Sequence, residues 1–269
     1  PVLSKEAQRI SELTMFGFQF NMQQEPFTNP KVRQAMAMAV DRRALMESVA
    51  QGVGKVAYSP VPPGMPGYDP NAGKEFEFNA ARAKQLLAEA GYPNGFEISI
   101  SGYREKAGYA DPSRFPKVAF SFADTSPNRL RAEFFQAQMK QNLGIDISLE
   151  ALDPKAYQQR YNNQQFQLAF SGWGVDYPDP DNIVPELFMT GSGNNHTGYS
   201  NPQVDAASRD CRGLVDVQRR MAACAEAQRL VVADQPWVFA FYRERYWVVK
   251  PYVQGFQVTS KAQLPGSTT

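Results

Sequence analysis

From Val118 to Phe170 the residue pattern switches period four times, and this switching restricts the fold more than any other stretch. Val118, Phe120 and Phe122 alternate as a strand, Ser126-Pro127 opens a helix to Asn142 that Gly144 ends, and Ile145, Ile147 and Leu149 alternate again. Asp153-Pro154 then opens another helix, and Phe166 to Phe170 is an apolar run of strand length. Strand, helix, strand, helix, strand demands parallel pairing with right-handed crossovers. The ligand crevice of such a sheet lies beyond the carboxyl ends of its strands. At that place stands Ser171-Gly172-Trp173-Gly174-Val175-Asp176-Tyr177-Pro178-Asp179-Pro180-Asp181-Asn182, which is too rich in Gly and Pro for a helix or a central strand and reads as a loop.

The chemistry of that loop points to a cationic, peptide-like ligand. Between Arg160 and Arg209 there is no Lys or Arg, yet Asp176, Asp179, Asp181, Glu186 and Asp205 fall inside the window, so the segment favours a cation. Trp173 and Tyr177 offer flat apolar area, and Gly172 and Gly174 let another backbone come close. Bland readings stand beside these: Trp173 as a core aromatic, Asp176 as the brace of a turn. Asp179 and Asp181 fit the turn and the start of the next helix, and their spacing is not that of an EF-hand. His196, the one histidine, sits in the irregular stretch 191–196 and reads as a solvated loop residue; alone it makes no multi-His metal site. With no Gly-x-Ser-x-Gly elbow and no His placed near Cys211 or Cys224 in sequence, the chain reads as a binding protein and not an enzyme, with no metal and no cofactor.

The flanking segments extend the α/β pattern. Leu13 to Met22 reads as a strand around Phe16, Phe18 and Phe20, Asn29-Pro30 and Asp41 start helices, the second stopping at Gly52, and Asn79 starts a third. Residues 53–75 form a long Pro-rich loop, and Phe96 to Ile100 reads as a strand making a hairpin with Val118 to Phe122 around a tip at 103–115. Short helix at Leu187 and Phe188, helices from Asn201-Pro202 and Asp216, strands at Trp237 to Tyr242 and Arg245 to Val249, and a turn at Val253 to Phe256 complete the reading. A net charge of +1 over 269 residues gives no general attraction to nucleic acid. No run of about eighteen apolar residues spans a membrane, and Pro1 opens no signal-peptide pattern, so an export signal would stand upstream and be removed. Cys211 and Cys224 leave two readings open. On antiparallel helices joined near Gly213, Cys224 faces a position nearer Asp205, so a disulfide needs local irregularity to meet its Cα separation of about 4.4 to 6.8 Å; the other reading is two buried thiols.

An ordered set of segments resembles one family, the bacterial extracellular solute-binding proteins of the peptide, opine and nickel class. The pieces are Phe20-Asn21, Pro26-Phe27, Val32-Arg33-Gln34-Ala35, Ala39-Val40-Asp41, Ala83 through Gly91, Gly144-Ile145, Gly172-Trp173 with Asp176, Pro178 through Asn182, Tyr199-Ser200-Asn201-Pro202 with Asp205, and Val253-Gln254-Gly255-Phe256. The resemblance implies an α/β fold, a mixed sheet with flanking helices, as the second lobe of a two-lobed periplasmic-binding-protein fold. It also implies the C-terminal portion of a longer chain, so that Pro1 does not look like a natural mature N-terminus. In domain terms, residues 1–20 are a hinge-side remnant of the first lobe, 21–240 the second, ligand-binding lobe, and 241–269 a segment returning toward the first. In peptide-binding members the aspartate at the place of Asp176 pairs with the ligand's ammonium group, Trp173 and Tyr177 line the pocket, and the backbone around Gly172 and Gly174 pairs with the peptide as with an added strand. Some members hold the ligand carboxylate with an arginine three residues before the tryptophan; here that place is Phe170. The implied role is the substrate-binding component of an ABC importer, working in the periplasm or at the outer face of the cytoplasmic membrane, with or without a lipid anchor. Its partners would be a short peptide, the transporter's membrane permease and the missing N-terminal lobe. A nickel chelate, an opine or an oligosaccharide is the alternative cargo.

Overall fold

Strand β1 (Ala7–Phe20) lies inside the sheet, between two other strands, and its second half is largely apolar and buried on both faces. From Glu12 to Phe20 only Phe16 is less than buried. At Gly17 an added Cβ would stand 2.8 Å from the carbonyl oxygen of Val238, so the neighbouring strand approaches as no larger residue allows. The buried amide of Gln19 is half satisfied: its Oε1 accepts from the Tyr161 hydroxyl at 2.7 Å, while its Nε2 has no partner among the described residues.

The computed structural model describes residues 6–92, 118–250 and 252–253. The strand expected at Phe96 to Ile100, its hairpin tip at 103–115 and most of the turn at Val253 to Phe256 lie outside them. Among the described residues one sheet has the order β2 (Lys55–Val56), β6 (Trp237–Val248), β1, β5 (Leu168–Gly174), β3 (Val118–Ala123), β4 (Ile147–Leu152). Strands β3 and β4 run parallel, as do β3 and β5, while β1 runs antiparallel to both β5 and β6, so the sheet is mixed. The helices start where the sequence expects. Asn29, Asp41 and Asn79 cap α1 (Pro30–Met38), α2 (Arg42–Ser48) and α3 (Ala80–Glu89). The crossover helices are α4 (Ser126–Leu143), whose cap is Thr125, one residue earlier than read, and α5 (Pro154–Asn162), capped by Asp153. After α6 (Val184–Phe188), Asn201 and Asp216 cap α7 (Pro202–Gly213) and α8 (Val217–Asp234).

Both faces of the sheet are covered. On one, Phe18 stacks on Phe135 of α4 with ring centroids 4.4 Å apart and meets Phe120 edge-on at 5.8 Å. On the other, Phe188 of α6 packs edge-on against Trp237 and Phe239. Between Phe239 and Phe241 strand β6 carries one residue more than β1, and this bulge turns Phe241 to the Phe16 side, where the two rings stack at 5.2 Å.

Two strand expectations change, and the open reading of the cysteines is decided. Ser171 to Gly174 is strand and not loop, because β1 offers Phe16, Met15 and Thr14 as partners for Gly172, Trp173 and Gly174; the loop starts at Val175. The two aromatic strands near the end are one, and β1 starts at Ala7, because Ala7 to Ser11 pairs with Glu244 to Val248 as a two-stranded ribbon whose charged residues read as surface. The cysteines form a disulfide, Cys211 to Cys224, with Cα atoms 4.7 Å apart. The three residues 214–216 include extended backbone at Leu214 and Asp216, and about 10 Å of rise there carries the chain on past α7. Helix α8 needs about two turns to come back level with Cys211, which puts Cys224 and not an earlier residue opposite it. Replacing both cysteines by serine is expected to lower unfolding free energy by about 2–4 kcal/mol, read from urea titration, with the far-UV circular dichroism of the native protein unchanged.

Candidate ligand-binding site

Strand β5 loses one neighbour halfway along. Strand β3 pairs with it only at Phe120 with Leu168 and Ser121 with Ala169, while β1 continues beside it to Gly174. From Phe170 onward no described strand lies on the β3 side. The carbonyl of Phe170 is taken instead by the Tyr157 hydroxyl of α5 at 2.7 Å. Successive side chains of a strand point to opposite faces, and here each face opens on a cavity. On one side Ser171, Gly172 and Trp173 line a cleft of about 580 Å³ with Tyr161, His196 and Trp237. On the other, a cavity of about 430 Å³ is lined by Phe16, Phe241, Asn128, Arg131 and Arg243. There the Arg131 guanidinium lies 5.2 Å from the Phe170 ring centroid and 5.4 Å from that of Phe241. Burial, and then the neighbouring charge of Arg243, lower its pKa.

The loop after β5 is organised by Asn182. Its carbonyl accepts the indole N–H of Trp173 at 2.7 Å, and its Oδ1 accepts the backbone N–H of Asp176 at 2.8 Å. Asn182 ends a single 3-10 turn, Pro180–Asn182, whose first N–H, that of Asp181, is met by the Asp179 carboxylate. Asp179 in turn receives both Nη groups of Arg220, at 2.9 and 2.8 Å, and these bonds hold its carboxyl below the usual range. Burial, then the Asp179 charge, push Asp181 the other way. Glu186 is paired with Arg212, and Asp205 accepts the backbone N–H of Thr190. The acidic window is therefore answered largely from inside the protein, by arginines that lie beyond it in sequence. It is not the open negative field that the charge run suggests.

Of the five residues singled out in the sequence, Gly172 and Trp173 line the cleft. Gly174 ends the strand, and Asp176 and Tyr177 follow it with exposed side chains, Tyr177 at 47%. Gly172 has a packing reason of its own, since an added Cβ would lie 2.4 Å from the Phe16 ring and 2.6 Å from the Met15 carbonyl oxygen. His196 is a correction: it lines the cleft half-buried, its ring 4.6 Å from that of Tyr161, and burial lowers its pKa. Arg131 was missed. Its signal is weak but present, for it precedes buried Phe135 by one turn on the same stripe of α4. Among the described residues no three His, Cys, Asp or Glu side chains gather as a metal site, and no helix is long and apolar enough to cross a membrane. Gly172→Ala is expected to cost about 1–3 kcal/mol of stability in urea titration. Gly193→Ala, where an added Cβ meets nothing within 4 Å, is expected to stay within about 0.5 kcal/mol of the parent.

Residues 3–195 match the family described as bacterial extracellular solute-binding proteins, family 5 middle. Heme-binding protein A of Haemophilus influenzae is 31% identical over 239 residues, covering 88% of this chain and 41% of that protein. The oligopeptide-binding protein OppA of Bacillus subtilis is 25% identical over 242 residues, 90% of this chain and 42% of that one. The structure of HbpA2 from Haemophilus parasuis superposes with a TM-score of 0.81 at 26% identity, over 96% of this chain and 48% of that one. The chain thus spans less than half the length of these relatives, and the two curated proteins among them are named for what they bind. With a mixed sheet in the expected order and a match over most of its length, this chain belongs to the family 5 bacterial extracellular solute-binding proteins.

Proposed function

We propose that this chain is the second lobe of the substrate-binding component of an ABC importer, capturing short peptides outside the cytoplasm and binding without catalysing. The observation that carries this reading is the edge of β5 from Ser171 to Gly174, open among the described residues, since main-chain groups there suit an extended backbone whatever its side chains. Asp176, at the end of that edge, takes the ligand ammonium group, while Trp173 and Tyr177 line its approach and Gly172 and Gly174 offer their main chain. Arg131 supplies the cation for the ligand carboxylate beside Phe170, where the sequence itself has none. The oligopeptide-binding relative supports a peptide as cargo, and the ligand sits outside the cytoplasm as the family's description has it.

Residues 21–240 form the ligand-gripping lobe in this reading, and 1–20 with 241–269 make the connection to the first lobe. Among the described residues, β1 before Ser11 and β6 after Glu244 pair with one another alone, and Tyr246 and Val248 are about half exposed on that ribbon, which suits a crossing to a second body. The first lobe and a membrane permease are the partners.

Asp176→Ala is expected to weaken free peptides about 10- to 100-fold while leaving N-acetylated peptides unchanged, and Arg131→Gln to do the same for free-acid against amidated peptides, both by calorimetric titration. Equal losses within each pair would remove the assigned roles. Native mass spectrometry of the protein purified without added ligand checks the cargo itself: a ladder of peptide masses is expected, and a single tetrapyrrole, nickel chelate, opine or sugar would overturn it.

A further inference from the structure

The two cavities that flank β5 differ in charge, and the difference has a consequence for the ligand. Resting on the peptide reading above, we propose that the cleft on the Trp173 face is a side-chain subsite that admits large uncharged side chains, aromatic or amide, and rejects charged ones.

Among the described residues no Lys, Arg, Asp or Glu lines that cleft. Its walls are the amides of Gln158, Asn162 and Asn194, the rings of Tyr161 and Trp173, and His196, whose half-burial keeps the imidazole neutral at neutral pH. The acid that touches the lining is Glu186, and both its oxygens are engaged, one by Asn194 Nδ2 at 2.6 Å and the other by Arg212 at 2.5 Å. A charged side chain entering here would leave water without meeting a counter-charge, which is expensive. A neutral polar one finds amide donors and acceptors. The Trp237 ring adds apolar area to the same wall. The volume of about 580 Å³ lies in the range of small-molecule pockets and leaves room for a ring. Across the strand, Arg131 and Arg243 give the second cavity a different character. A peptide added along β5 continues the sheet's alternation, so only every second side chain reaches the Trp173 face. Selection by charge therefore falls on one register of positions and spares the other.

The test is calorimetric titration of the chain with free alanine-background tripeptides carrying Phe, Gln, Lys or Glu at one position at a time. At one position Lys and Glu are both expected to bind at least about tenfold more weakly than Phe and Gln. Gln158→Glu, which places a carboxylate in the wall, is expected to recover about tenfold for Lys and nothing for Glu at that same position. Equal affinities at every position, or a Gln158→Glu variant that leaves the Lys penalty unchanged, would overturn the subsite while leaving peptide binding in place. No binding by any of the tripeptides would overturn the peptide reading and the subsite together.

Discussion

The site of this chain depends on β3 parting from β5 after Ala169. A strand edge left open exposes N–H and C=O groups that must find partners, and it invites unwanted pairing. Helix α5 manages the divergence with two tyrosines. Tyr157 donates to the Phe170 carbonyl at the point where β3 departs, and Tyr161 donates to Gln19 in the strand beyond. Burial raises both phenols, Tyr161 to about 12, so both remain protonated donors at physiological pH. Among the described residues no further strand continues along the edge beyond that point.

The same economy of partners governs the charged ribbon. Glu12 and Glu244 are buried at 2% and 4% exposure, and each is answered by cations on the paired strand: Arg243 and Arg245 for Glu12, Arg9 and Lys55 for Glu244. Buried carboxylates of this kind add little net stability, but removing one partner would strand a charge. They sit where the register between β1 and β6 shifts, between Ser11 and Met15, so the ion pairs select one pairing of two strands whose hydrophobic pattern alone leaves the choice open.

Much of this was legible in the residues because local signals agreed. Asn29-Pro30, Asp153-Pro154 and Asn201-Pro202 mark helix starts by side-chain capping and fixed φ, effects confined to a few neighbouring atoms. The parallel order of β3, β4 and β5 follows from crossovers of ordinary length. What escaped was set by distant partners. Ser171 to Gly174 looks like loop until β1, some 155 residues earlier, pairs with it, and Arg243-Glu244-Arg245 looks like a break until Glu12 is seen beside it. The disulfide turned on the offset of three loop residues, and Arg131 on what lies across α4 from its stripe.

Charge in the Asp-rich loop shows how such distant partners sharpen a functional reading. Taken along the chain, five acids and no bases look like a field; folded, Asp179 belongs to Arg220, Glu186 to Arg212 and Asp205 to a backbone amide. Their work is structural: Arg220 fixes Asp179, Asp179 starts the 3-10 turn, and that turn presents Asn182 to both Trp173 and Asp176. Asp176 is therefore set apart by position, two residues past the end of β5, the strand that lies between the two cavities, and not by the charge that surrounds it. An arginine on α8 with no contact to the cleft thus governs where the indole and the carboxylate stand, because the loop between them has one hydrogen-bonded frame and Arg220 closes it.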